Sequence, residues 1–194
     1  MEGPTPETLA PLLTLAASGD EEAWRRLVEL FLPMVFAVVR SQCNDSDLAE
    51  EIAQSTFCTL VQKLPSYTEV GRFESWLLRI AMNRLRDEMR RRKRQAMPAE
   101  EQTLVALADA SPHRPQEAEQ GLSGTFEGEA IMAAMGELSE ADREVLVLRH
   151  ISGLSFKQLS EVLDAPVGTL LARHHRALKK LKSLLSDSTE EEES

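Results

Sequence analysis

Helical periodicity dominates the chain, and no stretch alternates as a half-buried strand would. The first ten or so residues, with Pro4, Pro6 and Pro11, read as a loose lead-in. The acidic run Asp20-Glu21-Glu22 suits a helix N-terminus, and behind it Trp24, Leu27, Val28, Phe31, Val35, Phe36 and Val39 form one buried side. Pro33 falls inside this helix and is expected to kink or divide it. A second helix runs from about Ser46 to Leu64, with Leu48, Ile52, Thr56 and Leu60 at four-residue spacing, and Pro65 ends it. A third starts near Phe73, opens with Trp76, Leu77 and Ile80, and closes near Arg94 in a dense basic run.

From Gln95 to Gly128 the periodicity lapses. Prolines and glycines interrupt it, and the stretch holds six acidic residues against the single Arg114. It reads as an acidic linker, with a short helix expected around Glu100 to Leu107. Beyond it four compact helices follow, at about Glu129–Leu138, Glu140–Ile151, Phe156–Leu163 and Gly168–Leu185. Ser139 and Ser155 suit N-caps, with Asp142 and Gln158 three positions on. The fold class is therefore all-α: two small helical domains, at 20–94 and 129–186, joined by the linker at 95–128. A lead-in at 1–19 and an acidic tail at 187–194 flank them.

Charge distribution sharpens this. The formal net charge is -10, which argues against indiscriminate nucleic-acid binding, yet no acidic residue occurs between Val167 and Ser186. At about 100° per residue, Leu170, Ala177, Leu178, Leu181, Leu184 and Leu185 make an apolar stripe on this last helix. Thr169, Arg173, Arg176 and Lys180 gather beside each other on another side. Two helices around a tight turn, the second basic, suit a helix-turn-helix whose second helix enters the major groove; a solvated basic face is the plainer reading. Cys43 and Cys58 make no disulfide framework, and with no signal peptide or membrane-length apolar run the expected compartment is the reduced cytoplasm. No nucleotide loop or nucleophile-base pattern points to an enzyme. No cofactor or metal site is expected, since His174 and His175 diverge around the helix and the cysteines are distant.

Two segments together resemble one family, the extracytoplasmic-function class of bacterial RNA polymerase sigma factors. Ala23 to Arg94 is similar to its region 2, through DLAEEIAQSTF and RFESWLLRIAMNRLRDEMRRR. Ile131 to Leu185 is similar to its region 4, through LSEADREVLVLRHISGLSFKQLSEVL and PVGTLLARHHRALKKL. The resemblance implies a non-catalytic specificity subunit that binds core RNA polymerase, recognises two promoter DNA elements and aids strand opening. It also implies the site residues. Asp47, Glu50, Glu51 and Gln54 match the acidic polymerase-docking face, with Ser55 where the family usually places a glutamate. Phe73, Trp76, Arg79, Asn83, Asp87, Arg90 and Arg91 match the melting segment and downstream-element contacts, where an exposed aromatic stacks on an unpaired base and arginines hold the strand. The residues leave open whether Phe73 or Trp76 faces the base. Gly168, Thr169, Leu171, Ala172, Arg173, Arg176 and Lys180 match the upstream-element helix, with Leu171 and Ala172 standing where the family has Lys and Ser. His174 replaces a leucine and reads as a hydrogen-bonded core histidine.

Control stays open between an anti-sigma partner, self-inhibition, and a Ser/Thr kinase acting on Ser55, where a phosphate adds roughly 1.5 to 2 negative charges. The linker reads equally as an RNA mimic or a solubilising tether, and the tail as a mask for the basic helix or a solubiliser. The second function reading is a stand-alone helix-turn-helix regulator without polymerase binding.

Overall fold

The computed structural model describes residues 6–43, 45–96 and 126–190, and among these every regular element is helical. The expected helix at 100–107, most of the linker and the last four residues of the tail lie outside the described residues. The chain divides into two compact units, one from α1–α4 and one from α5, α6, α8 and most of α7.

In the first unit, α1 spans Pro6–Ala17 and buries Leu9, Leu13 and Ala16. The expected loose lead-in is thus a packed helix. Pro6 sits at its first position, where a missing N–H costs nothing, and Pro11 lies on the exposed side. Gly19, at a φ of 92°, turns the chain, and Asp20 caps α2 (Glu21–Cys43) by accepting from the Ala23 N–H at 2.7 Å. α2 continues through Pro33 without a break and buries Leu27, Phe31, Val35 and Val39. Asp45 caps α3 (Ser46–Lys63) through the Leu48 N–H at 3.0 Å, and Leu48, Ile52, Thr56 and Leu60 face the core as expected. α3 ends in a 3-10 turn at Leu64–Ser66, with Pro65 inside it. α4 (Phe73–Ala96) buries Phe73, Leu77, Leu78, Ala81, Met82 and Leu85 over its first half.

In the second unit, α5 (Phe126–Gly136) leads into α6 (Glu140–His150), capped by Ser139. α7 (Phe156–Leu163) begins with a capping box between Ser155 and Gln158. Asp164, at a φ of 50°, makes the left-handed turn into α8 (Val167–Glu190). α8 packs on α5 and α6, with Ala177 and Leu181 against Leu138, Leu146 and Met135, and Leu170 is fully buried. Leu178, placed on the apolar stripe by its spacing, is 42% exposed instead, because it lies a further 100° or so around the helix from Ala177.

Candidate docking and nucleic-acid interfaces

Three surfaces gather the candidate residues. On α3, Asp47, Glu50, Glu51 and Gln54 are all exposed along one face, because the opposite face is committed to the core. Gln54 reaches Glu50 at 3.4 Å. Cys58 and Val61 carry the same exposed face one and two turns further. The spacing from Gln54 contained that signal, but their chemistry hid it behind the carboxylates. Ser55 sits at the edge, half-buried, its hydroxyl donating to the Ile52 carbonyl at 3.1 Å. One turn on, the Thr59 hydroxyl donates to the Ser55 carbonyl at 3.0 Å and accepts from the Arg84 guanidinium.

The α4 surface resolves the aromatic ambiguity. Phe73 is 1% exposed and meets Phe31 edge-on at 5.0 Å. It is a core side chain, not a base-stacking one, because the first position of α4 is turned onto α2. Trp76 is half-buried and stacks on Tyr67 at 4.2 Å with 17° between ring planes. Tyr67, which sequence reasoning passed over as a loop residue, is fixed by donating to Glu69 at 3.0 Å. Burial raises its pKa, and the Glu69 bond and charge raise it further. Glu69 in turn accepts from the Gly71 and Arg72 N–H groups, so the loop before α4 is held closed on itself. Arg79, Asn83, Asp87, Arg90 and Arg91 lie outward. Arg91 forks onto Glu88 with two bonds of 2.7 Å, and Asp87 stands 4.0 Å from Arg90. The basic run is thus partly compensated from within its own helix.

On α8 the expected residues are exposed except Arg173, but the exposed face is wider than they suggest and two of its cations are held by their own domain. Opposite the buried Leu170 and Ala177 and the half-buried Leu181 lie Gly168, Ala172, His175, Lys179 and Lys182, all exposed. Thr169 and Leu171 flank this face and are exposed too, whereas Arg173 is half-buried. Arg176 forks onto Asp142 and Lys180 donates to the Glu137 carbonyl, so neither points straight out. The sequence missed His175, Lys179 and Lys182. Centring the helix on Leu170 and Ala177 rather than on Leu178 would have found them.

A Cβ built on Gly168 meets nothing within 4 Å, so the fold does not require a glycine in this first turn. A phosphate approaching the helix N-terminus would find open space there. Gly168→Ala is expected to stabilise the second domain by about 0.4–1 kcal/mol. It is expected to weaken DNA binding about fivefold, through loss of roughly one backbone contact. Thermal unfolding paired with a binding isotherm checks the opposite signs.

His174 bonds His150 of α6 through the two Nε2 atoms at 3.0 Å. With ring centres 5.2 Å apart, the two nitrogens point at each other. The Phe156 ring of α7 meets His174 edge-on at 5.3 Å, and Arg149 lies over Phe156. Burial lowers the His174 pKa below 6.5, and His150, Arg149 and His175 push it the same way. The unfolded chain therefore takes up this proton first, and stability is lost as pH falls below 6.5. Melting at about pH 7.5 and about pH 5.5 is expected to show a drop that His174→Gln flattens. Equal drops in both proteins would contradict the assignment.

Among the described residues no group of three or more His, Cys, Asp or Glu could hold a metal ion, and no helix is long and apolar enough to cross a membrane.

Both domains resemble known proteins. Residues 27–95 match the family described as sigma-70 region 2, and residues 128–181 match sigma-70, region 4. The chain is 31% identical over 180 residues to the ECF RNA polymerase sigma factor SigE of Mycolicibacterium smegmatis, covering 90% of this chain and 67% of that one. It is 30% identical to the RNA polymerase sigma factor CnrH of Cupriavidus metallidurans, covering 92% and 95%. Among solved structures, it resembles the sigma factor RpoE of Bartonella quintana in complex with the anti-sigma factor NepR. The TM-score is 0.67 at 25% identity, covering 84% of this chain and 96% of that one. It also resembles CnrH in complex with the cytosolic domain of CnrY, with a TM-score of 0.66 at 25% identity, covering 92% and 97%.

Proposed function

The chain belongs to the extracytoplasmic-function class of RNA polymerase sigma factors, and we propose that it divides the work of that class among α3, α4 and α8. It is an alternative sigma factor that mediates promoter recognition and transcription initiation. A regulator without polymerase binding is not favoured, because the relatives are sigma factors matched across both domains. In our reading the exposed carboxylates of α3 dock core RNA polymerase, whose complementary surface is basic. The Tyr67–Trp76 stack and the outward cations of α4 receive the separated strand, since a π-face and a cation together hold an unpaired base and its backbone. The outward face of α8 lies in the upstream element's major groove. The chain supplies no catalytic residue of its own and acts in the cytoplasm. An anti-sigma factor is a fitting partner, as it is for the related RpoE.

The observation that carries this reading is the exposed face of three carboxylates and an amide at Asp47, Glu50, Glu51 and Gln54. It has no role in the first domain's own packing. Binding to purified core RNA polymerase, measured for the wild type, Ser55→Ala and Ser55→Glu, tests it. Tight binding by the wild type, tightened further by the glutamate, supports docking and a role for charge at position 55. Equal affinities for all three would remove the kinase from the account, and no binding by any would remove docking.

A further inference from the structure

Arg176 and Lys180 were expected to grip DNA, yet both reach back into their own domain. The Arg176 Nη2 and Nε atoms donate to the two carboxylate oxygens of Asp142 at 2.7 and 3.1 Å. A two-point fork fixes direction as well as distance. Its acceptor is rigid. Asp142 is 7% exposed, in the first turn of α6, where the helix dipole favours a negative charge. Its backbone N–H donates to the Ser139 hydroxyl at 3.2 Å. Burial opposes ionisation of Asp142, but the bonds from Arg176 and Ser139 outweigh it and hold the carboxyl below its ordinary range. One turn along α8, Lys180 donates to the Glu137 carbonyl, just before α6. The two tethers bracket Ala177, which is fully buried against Leu138 and Leu146. Alanine itself adds little resistance to a helix turning about its axis, and Leu181 one turn on is only half-buried.

We propose that Arg176, seconded by Lys180, is a positioning residue that fixes the rotation of α8, so that Gly168, Ala172, His175, Lys179 and Lys182 face the DNA. This rests on reading α8 as the DNA-binding helix. It reassigns Arg176 from contact to alignment: a guanidinium already neutralised by Asp142 releases no counterion when DNA binds. The pair is also asymmetric. The Arg176 side chain is 61% exposed and that of Asp142 only 9%. Removing the arginine strands a buried carboxylate, whereas removing the carboxylate leaves a solvated cation.

The full-length chain is titrated with a short fluorescein-labelled duplex of mixed sequence across a salt series, and amide hydrogen exchange is followed in α8. Lys179→Ala is expected to reduce the salt slope by about 0.9, the loss of one phosphate contact. Arg176→Gln and Arg176→Lys are expected to leave the slope at the wild-type value while α8 amides exchange about tenfold faster or more. Asp142→Asn is expected to do the same to a smaller extent, and the Asp142→Asn, Arg176→Gln double variant to fall short of the sum. The lysine variant keeps the charge, so it separates the readings even where glutamine unfolds the domain. A slope reduced by about 0.9 in Arg176→Gln, with Arg176→Lys normal in slope and exchange, would overturn the proposal. Salt-independent binding by the wild type would instead sink the DNA-binding reading of α8, and the exchange data would still decide whether the fork orders the helix.

Discussion

Glu50→Lys combined with Glu51→Lys is expected to weaken binding to core RNA polymerase by roughly 30- to 700-fold, with the melting temperature almost unmoved. Both side chains are exposed on α3, so their replacement disturbs no packing, and surface changes of this kind cost within about 0.5 kcal/mol of stability. Against a basic partner, however, two attractive charges become two repulsive ones. Like-charge juxtaposition at an interface costs several kcal/mol. A loss of about 2–4 kcal/mol gives the stated range at 1.4 kcal/mol per tenfold. Glu22→Lys on α2 is the matched control. Glu22 is exposed on a different helix and pairs with Arg25 there, so its reversal is expected to leave polymerase affinity within about twofold. Equal losses in both proteins would show a general charge effect rather than a docking face. Anisotropy titration with labelled protein distinguishes the two.

The second large effect separates two aromatics that the sequence left equivalent. Phe73→Ala is expected to cost the first domain about 3–5 kcal/mol, since the ring is 1% exposed and packed edge-on against Phe31 at 5.0 Å. For a domain of this size that is most of its stability, and every activity of the first domain would fall with it. Trp76→Ala is expected to leave a folded domain that still binds polymerase but opens promoters about 5- to 140-fold less, the worth of one base stack at about 1–3 kcal/mol. Denaturant unfolding and permanganate reactivity of the melted strand measure the two quantities. An unfolded Trp76→Ala protein beside a stable Phe73→Ala protein would reverse the assignment.

Much of the fold was legible because its helices bury one face at regular spacing. Leu48, Ile52, Thr56 and Leu60 predicted the inner face of α3, and hence its acidic outer face. The caps at Ser139 and Ser155 were legible because capping is local chemistry. The proline-bearing helices were harder. Three prolines suggested a loose N-terminus, but Leu9, Leu13 and Ala16 buy enough burial to hold α1 together. Pro33 likewise rides within α2, whose flanking Phe31 and Val35 are buried.

The candidate sites divide in the same way. Facing was legible where one helix decides it and illegible where two must meet. Nothing local announces that Asp142 will take up Arg176, 34 residues away in the chain. The spacing of Arg176 and Lys180 therefore could not show that both are held by their own domain, nor that Lys179 and Lys182 are exposed beside them. Phe73 and Trp76 are three residues apart on one helix, and only the packing of α2 and the Tyr67 loop tells them apart.

The central claim is that this chain turns core RNA polymerase into a promoter-selective enzyme. Purified core polymerase, with and without the full chain, should be allowed to transcribe genomic fragments from the source organism, and the 5′ ends of the RNA mapped. The account predicts new start sites that appear only with the chain and share two sequence elements at fixed spacing. They should disappear with Glu50→Lys plus Glu51→Lys. Start sites identical with and without the chain, despite its binding to the polymerase, would contradict it.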